Sequence, residues 1–310
     1  MYVSDRALLV SVRAMAVLLM LGSLGLVGLV ISQRYVEPSV SVVDRDSQAL
    51  ENEVRQRPND PELRVALANV YLARNNADKA ESQAEQVLSS EPAHVGAALV
   101  YAQAAVMRGQ SDKAAECLTS VLARNADNPM ARASLQLGAA HQLLGRIELD
   151  RHQPIEATAE LRAALEIDAT NADTLYLLGR ALGQQGQSEQ ALAAYQAALR
   201  FVPDFGEVYQ DMADLYDKAG QPERARVARA MLSYSAGAYA EAATALSAAA
   251  TALPDSAEVY LGLAMAQEHL GRIGEAQSNY QRALDLDASS MAARQDVGRL
   301  GARPNTSREP

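Results

Sequence analysis

His141, Glu148 and His152 are the residues whose types and spacing come nearest to a reactive or metal-binding site in this sequence. On one continuous helix they would fall on nearly one face, and imidazole and carboxylate at such spacing can ligate zinc or a similar ion. However, His141 and His152 would stand about three turns, or roughly 16 Å, apart, which is too far for one ion. Only Glu148 and His152 could share a metal, and two ligands make a weak site. His94 and His269 have no partners in sequence and read as ordinary surface or groove residues. The single cysteine, Cys117, excludes an internal disulfide and a Cys-based zinc site, and its apolar surroundings point to core packing. There is no GxxxxGK phosphate loop, no GxSxG elbow, no HExxH pair and no CxxCH haem site. The expectation is therefore no catalytic residue, no cofactor and no metal, and a chain that is not an enzyme.

Composition says what must position the remaining side chains. Apolar residues make up 49% of the 310, yet aromatics only 5%, with no Trp and two Phe. The apolar content is mostly Ala and Leu, strong helix formers. A net charge of −10 and a pI near 5.0 argue against a nucleic-acid partner, whose phosphates require a basic face.

Residues Ala14 to Ile31 (AMAVLLMLGSLGLVGLVI) carry no charge. At about 1.5 Å per residue they span roughly 27 Å, close to the thickness of bilayer hydrocarbon. A cleaved signal peptide would have a shorter apolar core and a small-x-small step after it; LVISQRYVEP offers none. The run is expected to be an uncleaved transmembrane helix. Arg6 and Arg13 precede it, whereas Arg34 follows it and soon meets Glu37, Asp44 and Asp46; this small Arg bias favours a cytoplasmic segment 1–13, with the remainder on the far side of a bacterial inner membrane. Gly22, Gly25 and Gly28 leave a small-residue face for helix packing within the bilayer, although glycine is also common in membrane helices without that role. Residues 32–46 read as a tether.

Beyond the tether one alanine keeps returning: Ala80, Ala114, Ala157, Ala191, Ala225, Ala242 and Ala276. The gaps are 34, 43, 34, 34, 17 and 34 residues. A fixed period of this length signals stacked units, and two helices of about a dozen residues plus turns fill it. Within Ala172–Phe205, Leu175, Leu178 and Leu182 have helical spacing; Gly186 marks a turn, a second helix carries Ala191, Tyr195 and Ala198, and Pro203 closes it. Leu178-Gly179, Gly186, Ala191, Tyr195, Ala198 and Pro203 stand at the offsets of the tetratricopeptide repeat, which this unit resembles; Leu175 and Leu182 replace its usual Trp and Tyr. The same frame fits Pro61–His94, Val95–Asn128, Gly138–Asn171, Gly206–Tyr239 and Ala257–Ser290.

The resemblance implies an all-α, right-handed superhelical solenoid of antiparallel helix pairs over residues 47–300. Ser47 is expected to cap an opening half-unit in which Leu50 and Val54 face inward. The nine extra residues before Gly138 should lengthen a first helix over roughly Met130 to Arg151. The half-period gap implies one unpaired helix near 238–252, which would bend or reset the stack. A capping helix should run from Ser290 to about Leu300, and 301–310 reads as a disordered tail. Where two helices cross, Ala68, Gly179 and Ala264 keep the contact close; the second-helix alanines do the same against the next unit.

In tetratricopeptide arrays the first helices line a groove, which the second, fifth, ninth, twelfth and thirteenth residues of each unit enter. Carried over, these positions give Glu62, Val65, Asn69 and Leu72, then Leu99, Gln103, Val106 and Met107, then Gln142, Arg146 and Leu149. The fourth unit gives Asp173, Tyr176, Arg180 and Gln184; the fifth gives Glu207, Gln210, Asp214, Asp217 and Lys218; the last gives Glu258, Leu261, Met265 and Glu268. Basic clamps for carboxylate termini are not expected, since acids, apolar groups, Tyr and Gln fill the second and fifth positions. An extended or helical protein segment, basic at one end, fits better; a merely solvated face is the alternative. Proteins of this layout are similar to bacterial envelope assembly factors. The resemblance thus implies a membrane-anchored scaffold for protein partners and assembly of an envelope or membrane complex. A permanent subunit docked through its transmembrane helix is the other reading.

Overall fold

A computed structural model describes residues 42–288 and 290–301. The run Ala14–Ile31 with Gly22, Gly25 and Gly28, the tether up to residue 41, and residues 302–310 lie outside it. No helix among the described residues is long and apolar enough to cross a membrane.

Fifteen α-helices and one short 3-10 turn, with no strand, make up the described residues. They are α1 (Val42–Gln56), α2 (Pro61–Ala73), α3 (Ala77–Ser90), α4 (Val95–Met107) and α5 (Ser111–Asn125). Next come α6 (Leu135–Asp150), α7 (Pro154–Ile167), α8 (Ala172–Gln184), α9 (Ser188–Phe201) and α10 (Gly206–Lys218). The last five are α11 (Pro222–Ser235), α12 (Tyr239–Ala252), α13 (Ala257–His269), α14 (Ile273–Leu286) and α15 (Met291–Gly301).

Local chemistry fixes most starts. Side chains of Asp60, Asn76, Ser134 and Asn171 accept hydrogen bonds from backbone N–H groups three residues on, at 2.9–3.3 Å, satisfying donors the helix itself leaves open. Pro61, Pro154 and Pro222 occupy the first turn, where a missing N–H costs nothing. Within each pair the turn needs a left-handed residue. Gly186 supplies it at φ 75°, whereas Asn75 and His152 adopt φ 57° and 58° in its stead.

The alanine marker is the packing contact itself. Ala80, Ala114, Ala157, Ala191, Ala225, Ala242 and Ala276 are all wholly buried. So are Ala68, Ala102 and Ala264 at the first-helix crossing. At Gly179 of the same register a Cβ would come under 3.0 Å from the Tyr195 ring, and at Gly145 it would fall 2.6 Å from Leu161 Cγ. Neighbouring pairs bury their apolar faces on one another along the whole array, so stability accumulates by nearest neighbours.

Three expectations are corrected. α1 starts at Val42, so Ser47 lies inside the helix rather than capping it, while Val54 is buried and Leu50 packs beside it as expected. The nine extra residues form a loop and the 3-10 turn Ala131–Ala133, because Ser134 caps α6 and starts it at Leu135. Finally, α12 is not unpaired. It packs against both α11 and α13. The turn into it uses Gly237 at φ 81°, the geometry found inside a pair and not between pairs. α11 therefore serves twice: as second helix to α10 through Ala225, and as first helix to α12 through Ala230.

That double duty exchanges the two layers. In the first part of the array α2, α4, α6 and α8 each touch the next-but-one helix, the last of these contacts being α8 with α10, as the inner layer must. After α10 the helices in such contact are α11 and α13.

Candidate protein-binding faces

The side chains that suggested chemistry are committed elsewhere. His141 Nδ1 lies 2.7 Å from Glu160 Oε2. Glu148 receives two bonds of 3.0 Å from Arg151, whose other nitrogen is 3.0 Å from Asp112. Burial raises the Glu148 carboxyl above its usual range, with the Arg151 charge opposing. His152 is the turn residue. Among the described residues no group of three or more His, Cys, Asp or Glu could hold a metal ion. His94 caps α4, its ring Nδ1 accepting the Ala97 N–H at 3.2 Å. His269 stacks on Tyr239 with ring centres 4.1 Å apart, and Tyr234 stands edge-on to both. Cys117 is partly buried in the α4–α5–α6 core, and burial pushes its thiol up to about 11.

The inner layer carries the carried-over positions from Val65 to Asp214 at least partly exposed. Asn69, Gln103, Met107, Arg146, Gln210 and Asp214 are exposed, while Val65, Leu72, Leu99, Gln142, Tyr176 and Arg180 are half-buried. Leu149 is the exception: it is 2% exposed and belongs to the core. Around α8 and α10 the face has a defined centre. The Arg180 guanidinium lies 5.8 Å from the Tyr176 ring, which packs 5.2 Å from Phe205 and 6.0 Å from Tyr195. The Tyr195 hydroxyl donates to Asp211 Oδ2 at 3.2 Å. Burial holds the Asp211 carboxyl above its usual range, against the Tyr195 bond and the Arg180 charge. An aromatic platform with one cation and one screened carboxylate can take a peptide segment by stacking and by charge.

Leu261 and Met265 do not share that face. They line a cavity of about 590 Å³ together with Gln196, Ala197 and Arg200 of α9, which is a second helix. Glu258 lines it too. The expected single groove is therefore two surfaces in different layers. Sequence reasoning missed Asp211 and Phe205 because the carried-over positions skip them, although the run Phe205-Gly206 before α10 was a visible signal. It also missed that α9 and α13 line one cavity, for which the 17-residue gap was the clue.

Models of the tetratricopeptide repeat match residues 65–129, 160–193 and 233–299. No curated protein sequence matches the chain. Among solved structures, MamA is similar with TM-score 0.50 and 20% identity over 56% of this chain and 97% of that one. A MamA double mutant gives TM-score 0.51 and 17% identity over 58% and 96%. YrrB, described as a tetratricopeptide protein with an unusual peptide-binding site, gives TM-score 0.48 and 14% identity over 80% and 97%. At these identities the likeness concerns the fold.

Proposed function

We infer, for a chain built of tetratricopeptide repeats, that it is a membrane-anchored scaffold which holds a protein partner on the inner face of its first five helix pairs and serves the assembly of an envelope or membrane complex. Tetratricopeptide arrays mediate protein–protein interactions, and fold alone does not select the partner. The observation that carries the reading is the platform of Tyr176, Arg180, Phe205 and Asp211, where aromatic, cationic and acidic groups meet on one accessible face. Membrane attachment rests on the uncharged run Ala14–Ile31, and the Arg6 and Arg13 bias favours an extracytoplasmic side of a bacterial inner membrane for the repeats.

Photo-crosslinking in intact membranes tests the face. A photoreactive residue at Tyr176 or Arg180 should capture one defined protein, and one at exposed Arg162 on α7 should not. Capture from Arg162 alone would overturn the assignment. Alkaline washing tests the anchor: the full chain should stay with the membrane, and a chain lacking residues 1–31 should wash off. Retention of the captured protein at a fixed ratio through detergent purification would favour a permanent subunit docked by the Gly22, Gly25 and Gly28 face over an assembly factor.

A further inference from the structure

The exchange of layers leaves a half-buried carboxylate in the wall of a cavity. Glu258, the second residue of α13, lines the cavity of about 590 Å³ beside Met231, Leu261 and Met265. Its other side faces a smaller cavity of about 140 Å³ with Gln196, Tyr216 and Arg224. Among the described residues no hydrogen-bond donor reaches its oxygens. Arg224 is the cation that favours its charge, but that guanidinium sits over the Tyr216 ring at 5.9 Å and donates to Gln221 at 3.3 Å. Burial raises the Glu258 carboxyl above its usual range. Glu258 is half-buried, so an accessible carboxylate stands in an apolar wall with no hydrogen-bond donor of the protein on it, and a cation brought in by a ligand would meet it at reduced desolvation cost.

The remaining walls narrow the ligand. Met231, Leu261, Met265 and, at the start of α15, the 74% exposed Met291 give an apolar and adaptable lining. Arg200 and Asp287 also line the cavity with opposite charges, so Glu258 decides its sign. The cavity is bordered by α9, α11, α13 and α15, a length suited to a chain segment rather than to a single small amine.

We propose that this junction cavity is a second protein-binding site, which takes a Lys or Arg of a partner segment on Glu258 and the aliphatic residues flanking it on the methionine lining. It lies in the opposite layer from the Tyr176 platform, so one chain can hold two segments on two faces. The platform stands or falls separately, through Arg180.

Fluorescence anisotropy on the full chain in detergent tests the proposal. The probes are labelled 12-residue peptides of Leu, Met and Ala with one central Lys, Arg, acetyl-lysine or Glu. The Lys and Arg peptides should bind saturably, and the acetyl-lysine and Glu peptides at least about tenfold more weakly, as expected for a charge-assisted contact. Glu258→Gln should abolish the preference for Lys over acetyl-lysine, whereas Arg180→Ala should leave it intact. Absence of binding by every peptide, equal binding of Lys and acetyl-lysine, or a preference that persists in Glu258→Gln would each overturn the site. Loss of the preference in Arg180→Ala alone would place the cation on the inner face and overturn it as well. Should Glu258→Gln fail to fold, the comparison of Lys with acetyl-lysine on the unsubstituted chain still decides.

Discussion

From Pro61 to Ser235 the chain stacks helix pairs so that every first helix meets the next first helix; from Pro222 to Gly301 it uses the same pairs with the layers exchanged. The units themselves hardly differ. Ala191 in one part and Ala276 in the other are equally buried, and Gly186 and Gly271 make the same left-handed turn at φ 75°. What differs is one shared helix. α11 carries Ala225 for its role as a second helix and Ala230 for its role as a first, and both are buried. The contrast teaches that small residues at crossings fix how a helix meets its neighbours but leave open which side of the array it lines. Counting helices decides that, and a gap of half a period inverts it.

Deleting the extra helix should break the contrast outright, with the largest effect of any change considered. Removal of residues 237–253 shortens the spacing of Ala225 and Ala276 from 51 to 34 residues and brings Pro254 to the position that Pro203 holds in the fourth unit. The product should be a continuous array, with circular dichroism reduced only by the deleted helix. Leu261 and Met265 would then join the layer of Gln210 and Asp214, and discrimination between Lys and acetyl-lysine peptides should vanish. Discrimination that survives the deletion would show that the junction does not make the cavity.

Two glycines sharpen the contrast at intermediate size. A Cβ at Gly179 would meet the ring of a buried Tyr195, which cannot retreat without moving α9. At Gly262 in the junction it would meet chiefly the Met231 sulfur, part of a flexible side chain beside a cavity. Gly179→Ala is therefore expected to cost about 1–3 kcal/mol, and Gly262→Ala less than about 1 kcal/mol. Urea midpoints should be compared, since repeat arrays need not unfold in one step. Equal shifts would mean that the junction is as tightly packed as the regular stack.

Glu258 separates stability from binding. Its folded carboxyl is held above the unfolded range by burial, so the folded state loses stability as pH rises through the unfolded value toward the folded one. Glu258→Gln should accordingly melt higher than the unsubstituted chain at pH 7 and level with it in acid, where both side chains are neutral. A lower melting temperature at pH 7 would mean that the charge is satisfied within the fold.

Much of this was legible beforehand because packing imposes a period. Ala80, Gly179 and Ala191 announced the crossings, and Gly186 the turn. The remainder was hidden where one residue type does another's work. His94 caps a helix through its ring, a role that Asp60, Asn76 and Asn171 fill at other starts, and His152 takes the turn that Gly186 marks elsewhere. The insertion before Gly138 read as more helix because its residues favour helix; Ser134, an N-cap, overrode them. The binding faces were legible position by position, but not as two surfaces, since positions carried over from a regular repeat assume a layer that α11 exchanges.

Cys117 offers the smallest and most local comparison. It lies on α5 in the regular part, and with its thiol pushed up to about 11 only about one molecule in a thousand is thiolate at pH 8. Alkylation should thus proceed about a hundredfold more slowly than for a free thiol and should accelerate only when the α4–α5–α6 core opens. A second thiol introduced as Met265→Cys would report the cavity-lined junction in the same experiment. Labelling at position 265 well before Cys117 in rising urea is the expected order, because a helix bordering a cavity has fewer neighbours to hold it. Simultaneous labelling would mean that the shared helix couples the two parts into one cooperative unit, and stability along the array would then not accumulate pair by pair.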